Sequence, residues 1–168
     1  QKLVGITLAA ALAFSTLSCN RDKFLDVNIT PNSPTVVTMP LLFTSTVIYS
    51  GFLATNDLGR AAELFVQHQA GIANQMADYD RYNIRGSFDN QWNGEIYSGA
   101  LINAQTLIDL AASKNSPAYG GIAKLLKAYN FSVATDMYGD VPYSQALQGS
   151  ANTHPRYDKQ EDIYKGDP

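Results

Sequence analysis

The sequence predicts an all-α protein of antiparallel helical hairpins joined by long loops, and three observations predict it. Between Trp92 and Ala111 apolar residues recur every three to four positions, the spacing that keeps them on one side of a helix. The same period returns between Ile122 and Met137. Gly and Pro gather where each run ends, at Pro117, Gly120-Gly121, Gly139 and Pro142, and these residues stop helices or release the backbone.

Taken in order, Leu3 to Leu17 is an apolar, Ala-rich run behind Lys2 that ends at Ser18-Cys19. It matches a bacterial signal-peptide core and is too short for a stable membrane span. Residues 1–18 are therefore expected to be a lipoprotein signal peptide, its charged start clipped ahead of Lys2. Thr16-Leu17-Ser18-Cys19 approximates a lipobox, although Thr16 and Leu17 depart from its preferred residues. Cys19, the chain's one cysteine, is the expected lipidation site, and each buried methylene of an attached acyl chain adds about 0.8 kcal/mol of membrane affinity. Residues 19–37 mix charge, Asn, Pro and Thr without a period, so they read as a tether and extended segment, with Phe24 and Leu25 tucked under the body.

Thr38 is placed to cap a helix with Pro40 in its first turn, where a missing N–H costs little. Phe43, Val47, Ser50 and Ala54 mark its inner face. Asn56 or Asp57 caps a second helix with Ala61, Leu64, Phe65, His68 and Ile72 on its apolar side, and the two make a first hairpin. On that face His68 reads as a core or rim histidine held by a hydrogen bond. Residues 74–90, NQMADYDRYNIRGSFDN, then form a loop. Loops of this length inside helical chains are more often functional than idle.

In the next hairpin Trp92, Ile96, Ala100, Asn103, Leu107 and Ala111 make one row, and Tyr97, Leu101, Ala104 and Ile108 a second beside it. So wide a stripe belongs to a helix covered by neighbours. Ile122, Leu125, Leu126, Tyr129, Val133 and Met137 form the facing stripe, with Lys124 and Lys127 opposite, and Lys114–Pro117 with Gly120-Gly121 make the connection. Trp92, lying in the stripe, favours core packing over a role as an exposed binding platform. Gly139 is available for a left-handed C-cap and Pro142 cannot continue the helical ladder. After a Pro-marked loop, Gln160 to Lys165 opens a further helix that stops at Gly166.

Composition limits the rest. A chain of 168 residues, 45% hydrophobic, supports one core of modest size. A net charge of −3 gives no positive field to attract nucleic acid. One cysteine excludes an intrachain disulfide, and two histidines far apart in sequence leave few parts for a metal site or a Ser-His-Asp machine. No phosphate-binding Gly loop, nucleophile elbow, zinc helix or calcium loop is found, so no cofactor or metal is expected.

A resemblance then narrows the class. Leu126-Lys127-Ala128-Tyr129, followed by Thr135-Asp136-Met137-Tyr138-Gly139-Asp140-Val141-Pro142-Tyr143-Ser144-Gln145-Ala146, resembles the signature of SusD/RagB-type lipoproteins, nutrient-binding outer-membrane proteins of Bacteroidetes. Trp92-Asn93 through Tyr97, with Asn103-Ala104-Gln105-Thr106-Leu107-Ile108, resembles the preceding family helix, and Arg156 to Tyr164 the lead into the following one. The likeness spans nearly all of the chain after residue 19 and is greatest to the starch-binding-associated SusD-like branch. It implies a tetratricopeptide-like scaffold, which spacing alone does not give, because Glu95 and Gly99 fall in the wrong slots of that repeat. Family members are much longer, so residues 38–168 are expected to be the truncated N-terminal part of a SusD-like helical domain. The resemblance further implies a non-enzymatic, lipid-anchored, surface-exposed outer-membrane protein. Such a protein captures an oligosaccharide or similar nutrient and passes it to a SusC-type TonB-dependent transporter.

Sugar capture needs flat apolar faces for the rings and planar amides, carboxylates or guanidinium groups for the hydroxyls. Tyr79, Asp80, Arg81, Tyr82, Asn83 and Arg85 bring that mixture into one loop. In SusD-like proteins the loop between early helices helps build the ligand arc, so these six are the ligand-binding candidates. Tyrosines that pack on the rest of a longer chain are the competing reading of the loop. For the whole protein two alternatives stand beside nutrient binding. One is a surface or periplasmic glycoside hydrolase using Asp78/Asp80 or Asp136/Asp140. The other is a purely structural lipoprotein that docks the transporter. Asp136 and Asp140 bracket a helix end, where carboxylates commonly accept backbone N–H groups.

Overall fold

From Thr38 the chain folds as one unit, and the computed structural model describes residues 37–84, 86 and 88–166. The expected signal segment 1–18, Cys19, the tether up to residue 36 and Arg85 lie outside the described residues. The all-α expectation holds: the described elements are helices and one pairing of two-residue strands.

Pro40 sits in the first turn of α1 (Met39–Thr55), where its missing N–H is not needed. This helix is apolar on nearly every side, a pattern that designates no inner face. The face that packs is Leu42, Thr46, Ser50 and Leu53. Ser50 was expected there, whereas Val47 and Ala54 are exposed. Two of the four that pack are small hydroxyl residues. Thr46 and Ser50 donate back to the carbonyls of Leu42 and Thr46 at 2.8 and 2.7 Å, so they bury without an unmet donor and let neighbouring helices come close. Asn103 and Asn130, from two other helices, donate to Ser45 and Ser50 at 3.1 and 2.8 Å.

Helix α2 (Asp57–Phe65) follows after Asn56 alone. Asp57, well placed against the positive end of the helix dipole, accepts the side-chain amide of buried Gln91 at 2.5 Å. The helix ends earlier than expected, because Gln67 turns to a φ of 58°. His68 and Ile72 therefore leave the helical face, and His68 is exposed rather than a core or rim histidine. Helix α3 (Asn74–Asp80) occupies the first part of what was expected to be a loop and packs on α2.

Next comes a π-helical segment, Gln91–Leu101, running straight into α4 (Ile102–Ser113). Both expected rows are largely interior here: Ile96, Ala100, Leu101, Ala104, Leu107 and Ala111 are all buried. Gly99 marks the tightest approach of α1, since a Cβ there would lie 2.5 Å from the Tyr49 ring and 2.6 Å from the Gly94 carbonyl oxygen. Only glycine fits that gap.

Helix α5 (Pro117–Tyr138) starts on Pro117 and passes through Gly120-Gly121, which belong to the helix rather than to the connection. It runs antiparallel to the preceding helix: Lys127 Nζ reaches Gln105 at 2.6 Å, and Tyr138, farther along, meets Trp92 at 4.9 Å. Its buried face is Ala123, Asn130, Phe131, Ala134 and Thr135. The expected stripe is rotated away, with Ile122, Leu125, Tyr129 and Met137 exposed. Small residues on the inner face permit close helix packing, and that outweighs the burial of the larger side chains. The main core joins Leu53, Leu58, Ile96, Leu101, Phe131 and Ala134.

Beyond Gly139, at φ 78°, strand β1 (Val141–Pro142) pairs antiparallel with β2 (Tyr157–Asp158), Val141 opposite Asp158 and Pro142 opposite Tyr157. Helix α6 (Gln160–Lys165) closes on a left-handed Gly166, as the sequence leads one to expect. Among the described residues no helix is long and apolar enough to cross a membrane.

Candidate functional site

A cleft of about 570 Å³ opens where the start of the π-helical segment faces the loop between β1 and β2, lined by Trp92, Asn93, Tyr97, Pro142, His154 and Tyr157 among others. Backbone winding brings the first of these together. On an α-helix with 3.6 residues per turn, side chains five apart point about 140° away from one another. In a π-helix the hydrogen bond spans five residues, so they lie side by side; here Ile102 N–H donates to the Tyr97 carbonyl, five back. Trp92 and Tyr97 consequently touch, with ring centroids 5.0 Å apart. The periodic reading had put them in separate rows, and half-buried Trp92 lines a cleft instead of the core.

Two further tyrosines hold the indole. Tyr138, from the end of α5, meets it edge-on at 4.9 Å and 73°. Tyr157, on β2, lies nearly parallel to it at 6.2 Å and 11° and is 63% exposed. The phenol groups are anchored as donors: Tyr97 to the Pro142 carbonyl at 2.8 Å and Tyr138 to the Phe88 carbonyl at 3.1 Å. Burial, then the nearby Tyr157 and Asp158, pushes the Tyr97 hydroxyl well above the ordinary phenol range. Burial, then Asp89 and Glu95, pushes Tyr138 up to about 12. Both stay protonated at neutral pH.

The opposite wall is a loop fixed by one buried carboxylate. Asp158 accepts the backbone N–H groups of Tyr143 and Ser144 at 3.1 and 2.6 Å, the Ser144 hydroxyl, and Arg156 Nε at 2.8 Å. Burial by itself would raise its pKa, but the Ser144, Tyr143 and Arg156 hydrogen bonds together hold it below the usual carboxylate range. This ties the loop back to β2 and keeps Pro142, Ala146 and Leu147 against the aromatic side. Sequence reasoning had not picked out Asp158 or the cleft. The residues were nonetheless in view, because Tyr143, Ser144 and Arg156–Asp158 belong to the stretches that carry the family resemblance.

The six loop candidates are dispersed. Tyr79 is fully buried, its ring stacked on Phe88 at 5.5 Å and tilted against Phe65 at 6.4 Å, so no face is open to a sugar. Tyr82 stacks on Phe65 at 5.5 Å and 10° yet is 66% exposed. Asp80 accepts the Gly71 N–H at 3.3 Å, and Arg81 and Asn83 are exposed in the turn after α3. Arg85 is outside the described residues.

Two of the carboxylates considered for hydrolysis accept hydrogen bonds from the last helix. Asp140 accepts the Gln160 N–H at 3.1 Å, at the start of α6, and Asp136 accepts the Tyr164 hydroxyl at 2.8 Å. Among the described residues no group of three or more His, Cys, Asp or Glu side chains is placed to hold a metal ion. What the cleft offers is aromatic surface, neutral hydroxyls, the Asn93 amide and the His154 imidazole, groups that hold rings and hydroxyls by contact and hydrogen bonding.

Among curated proteins nothing matches the chain. A SusD-like family model, described as starch-binding associating with outer membrane, matches residues 31–166.

Proposed function

The chain belongs to the SusD-like family, and from that premise we propose that it captures an oligosaccharide in the Trp92 cleft and delivers it to a SusC-type TonB-dependent transporter. The observation that carries this reading is the aromatic cluster itself: an indole held by three tyrosines that borders a cleft of about 570 Å³. Such a surface is pre-ordered, so little side-chain freedom is lost when a sugar ring settles on it. Anchoring is part of the same proposal. Cys19, acylated at the processed amino terminus, holds the protein in the outer membrane with its binding surface outward.

Binding rather than catalysis fits the carboxylates, because Asp136 and Asp140 act as hydrogen-bond acceptors that secure α6. A second reading keeps the turn after α3 as a sugar-contacting edge. It rests on Tyr82, an exposed ring backed by Phe65, with Asp80, Arg81 and Asn83 beside it.

Calorimetric titration of the full-length protein with a malto-oligosaccharide tests the cleft. Trp92→Ala is expected to weaken binding at least about tenfold, or ~1.4 kcal/mol, with helical content unchanged; undiminished affinity would rule the cleft out. Membrane fractionation tests the anchor. Cys19→Ala is expected to release the protein from the outer-membrane fraction, and full retention of the variant would refute lipidation there.

A further inference from the structure

The cleft has a second lobe. Asp89, Trp92, Tyr138, Asp140 and Tyr157 line a cavity of about 350 Å³ that shares Trp92 and Tyr157 with the larger one. Tyr138 stands at 73° to the indole, so two ring walls meet nearly at a right angle, and Tyr157 runs nearly parallel to the indole, 11° from its plane. Two carboxylates complete the lining. Among the described residues neither is in an ion pair. Asp140 uses Oδ1 on the Gln160 N–H, and Asp89 is exposed beside the rings.

Aromatic faces carry negative charge density and attract cations, more strongly for indole than for the smaller rings. Carboxylates at the same cavity add Coulomb attraction of the same sign. A neutral hydroxyl gains hydrogen bonds here but no cation–π attraction, so the lining discriminates by charge. The negative field is felt at the ring itself, since Asp89 and Glu95 help burial to keep the Tyr138 phenol protonated.

We propose that this lobe takes a protonated amine, so that the glycan held at Trp92 carries a free amino group, as a 2-amino-2-deoxy sugar does. The inference rests on the glycan-binding reading above and goes beyond it in substrate class. A sugar seated against Trp92 and Tyr157 in the larger cavity borders the lobe directly, because both rings serve both cavities.

The test is a pair of titrations of the full-length protein, one with a short chain of free glucosamine units and one with a glucose chain of the same length and linkage. The amino chain is expected to bind at least about tenfold tighter. Asp89→Asn, or Asp140→Asn as a second variant, is expected to remove most of that preference. Asp109→Asn is the charge-matched control, an exposed carboxylate on α4 that accepts the Gln105 amide, and it is expected to leave the preference intact. Trp92→Ala is expected to weaken both ligands. Equal affinity for the two chains, both lost in Trp92→Ala, would overturn the amine lobe and leave the glycan cleft standing. A preference that survives in both lobe variants would overturn the lobe's role. No binding of either chain would overturn the glycan reading together with this one.

Discussion

Tyr79 and Trp92 each sit at the centre of an aromatic cluster, and the clusters differ in what they leave uncovered. Around Tyr79, Phe65 and Phe88 close over the ring until it is fully buried. Around Trp92, three tyrosines hold the indole at 4.9 to 6.2 Å, but a cleft remains beside it and Tyr157 stays 63% exposed. An aromatic ring serves a ligand only when it is both held and open. The Tyr79 cluster is held and closed, which makes it core; the Trp92 cluster is held and open, which is what the proposed glycan site requires.

That contrast can be broken most forcefully at the closed cluster. Tyr79→Ala is expected to cost about 3–5 kcal/mol of stability, the usual penalty for deleting a buried aromatic side chain, in chemical denaturation. Glycan affinity of the folded protein should stay as it was. A stable Tyr79→Ala protein with impaired binding would reverse the assignments of the two clusters.

Smaller effects sharpen the comparison from the scaffold side. Gly99→Val forces a side chain into the space between Tyr49 and the Gly94 carbonyl, so a loss of about 1–3 kcal/mol is expected. An unchanged melting temperature would show that α1 does not press there. Asp158→Ala strips the acceptor from the Tyr143 and Ser144 N–H groups that hold the cleft wall, and is expected to cost about 1–3 kcal/mol. Its pH dependence has a definite sign. Because the folded-state pKa lies below the ordinary aspartate value, the carboxylate's contribution is complete above that ordinary value. It is lost as pH falls through the folded value, below about pH 4. Denaturation midpoints of wild type and Asp158→Ala should therefore converge in acid; a constant gap down to pH 2 would contradict the assignment.

Periodicity made the helices legible, most clearly where the pattern was wide. Both rows from Trp92 to Ala111 are largely interior, because that stretch packs against both α1 and α5. Where the pattern was ambiguous the face was misplaced. Helix α1 is apolar all round, and its back-bonded hydroxyls do not single out a side either, since Thr44 and Thr55 make the same bond from exposed positions that Thr46 and Ser50 make from buried ones. On α5 the large residues Leu125 and Tyr129 drew attention, while Ala123 and Ala134 took the interface. The site was harder to read for a physical reason. Trp92 and Tyr97 become neighbours only through π-helical winding, and a scan at 3.6 residues per turn separates them. Composition drew the eye to Tyr79 through Asn83, yet burial of one tyrosine and exposure of the next depend on Phe65 and Phe88, which lie outside that run.

The most direct measurement sets the two candidate surfaces against each other: oligosaccharide affinity of the full-length protein carrying Trp92→Ala, compared with the same protein carrying Tyr82→Ala. The expected result is a loss of at least about tenfold for the first and wild-type affinity for the second. Intact binding in Trp92→Ala with a loss in Tyr82→Ala would contradict the cleft and move the glycan to the turn after α3.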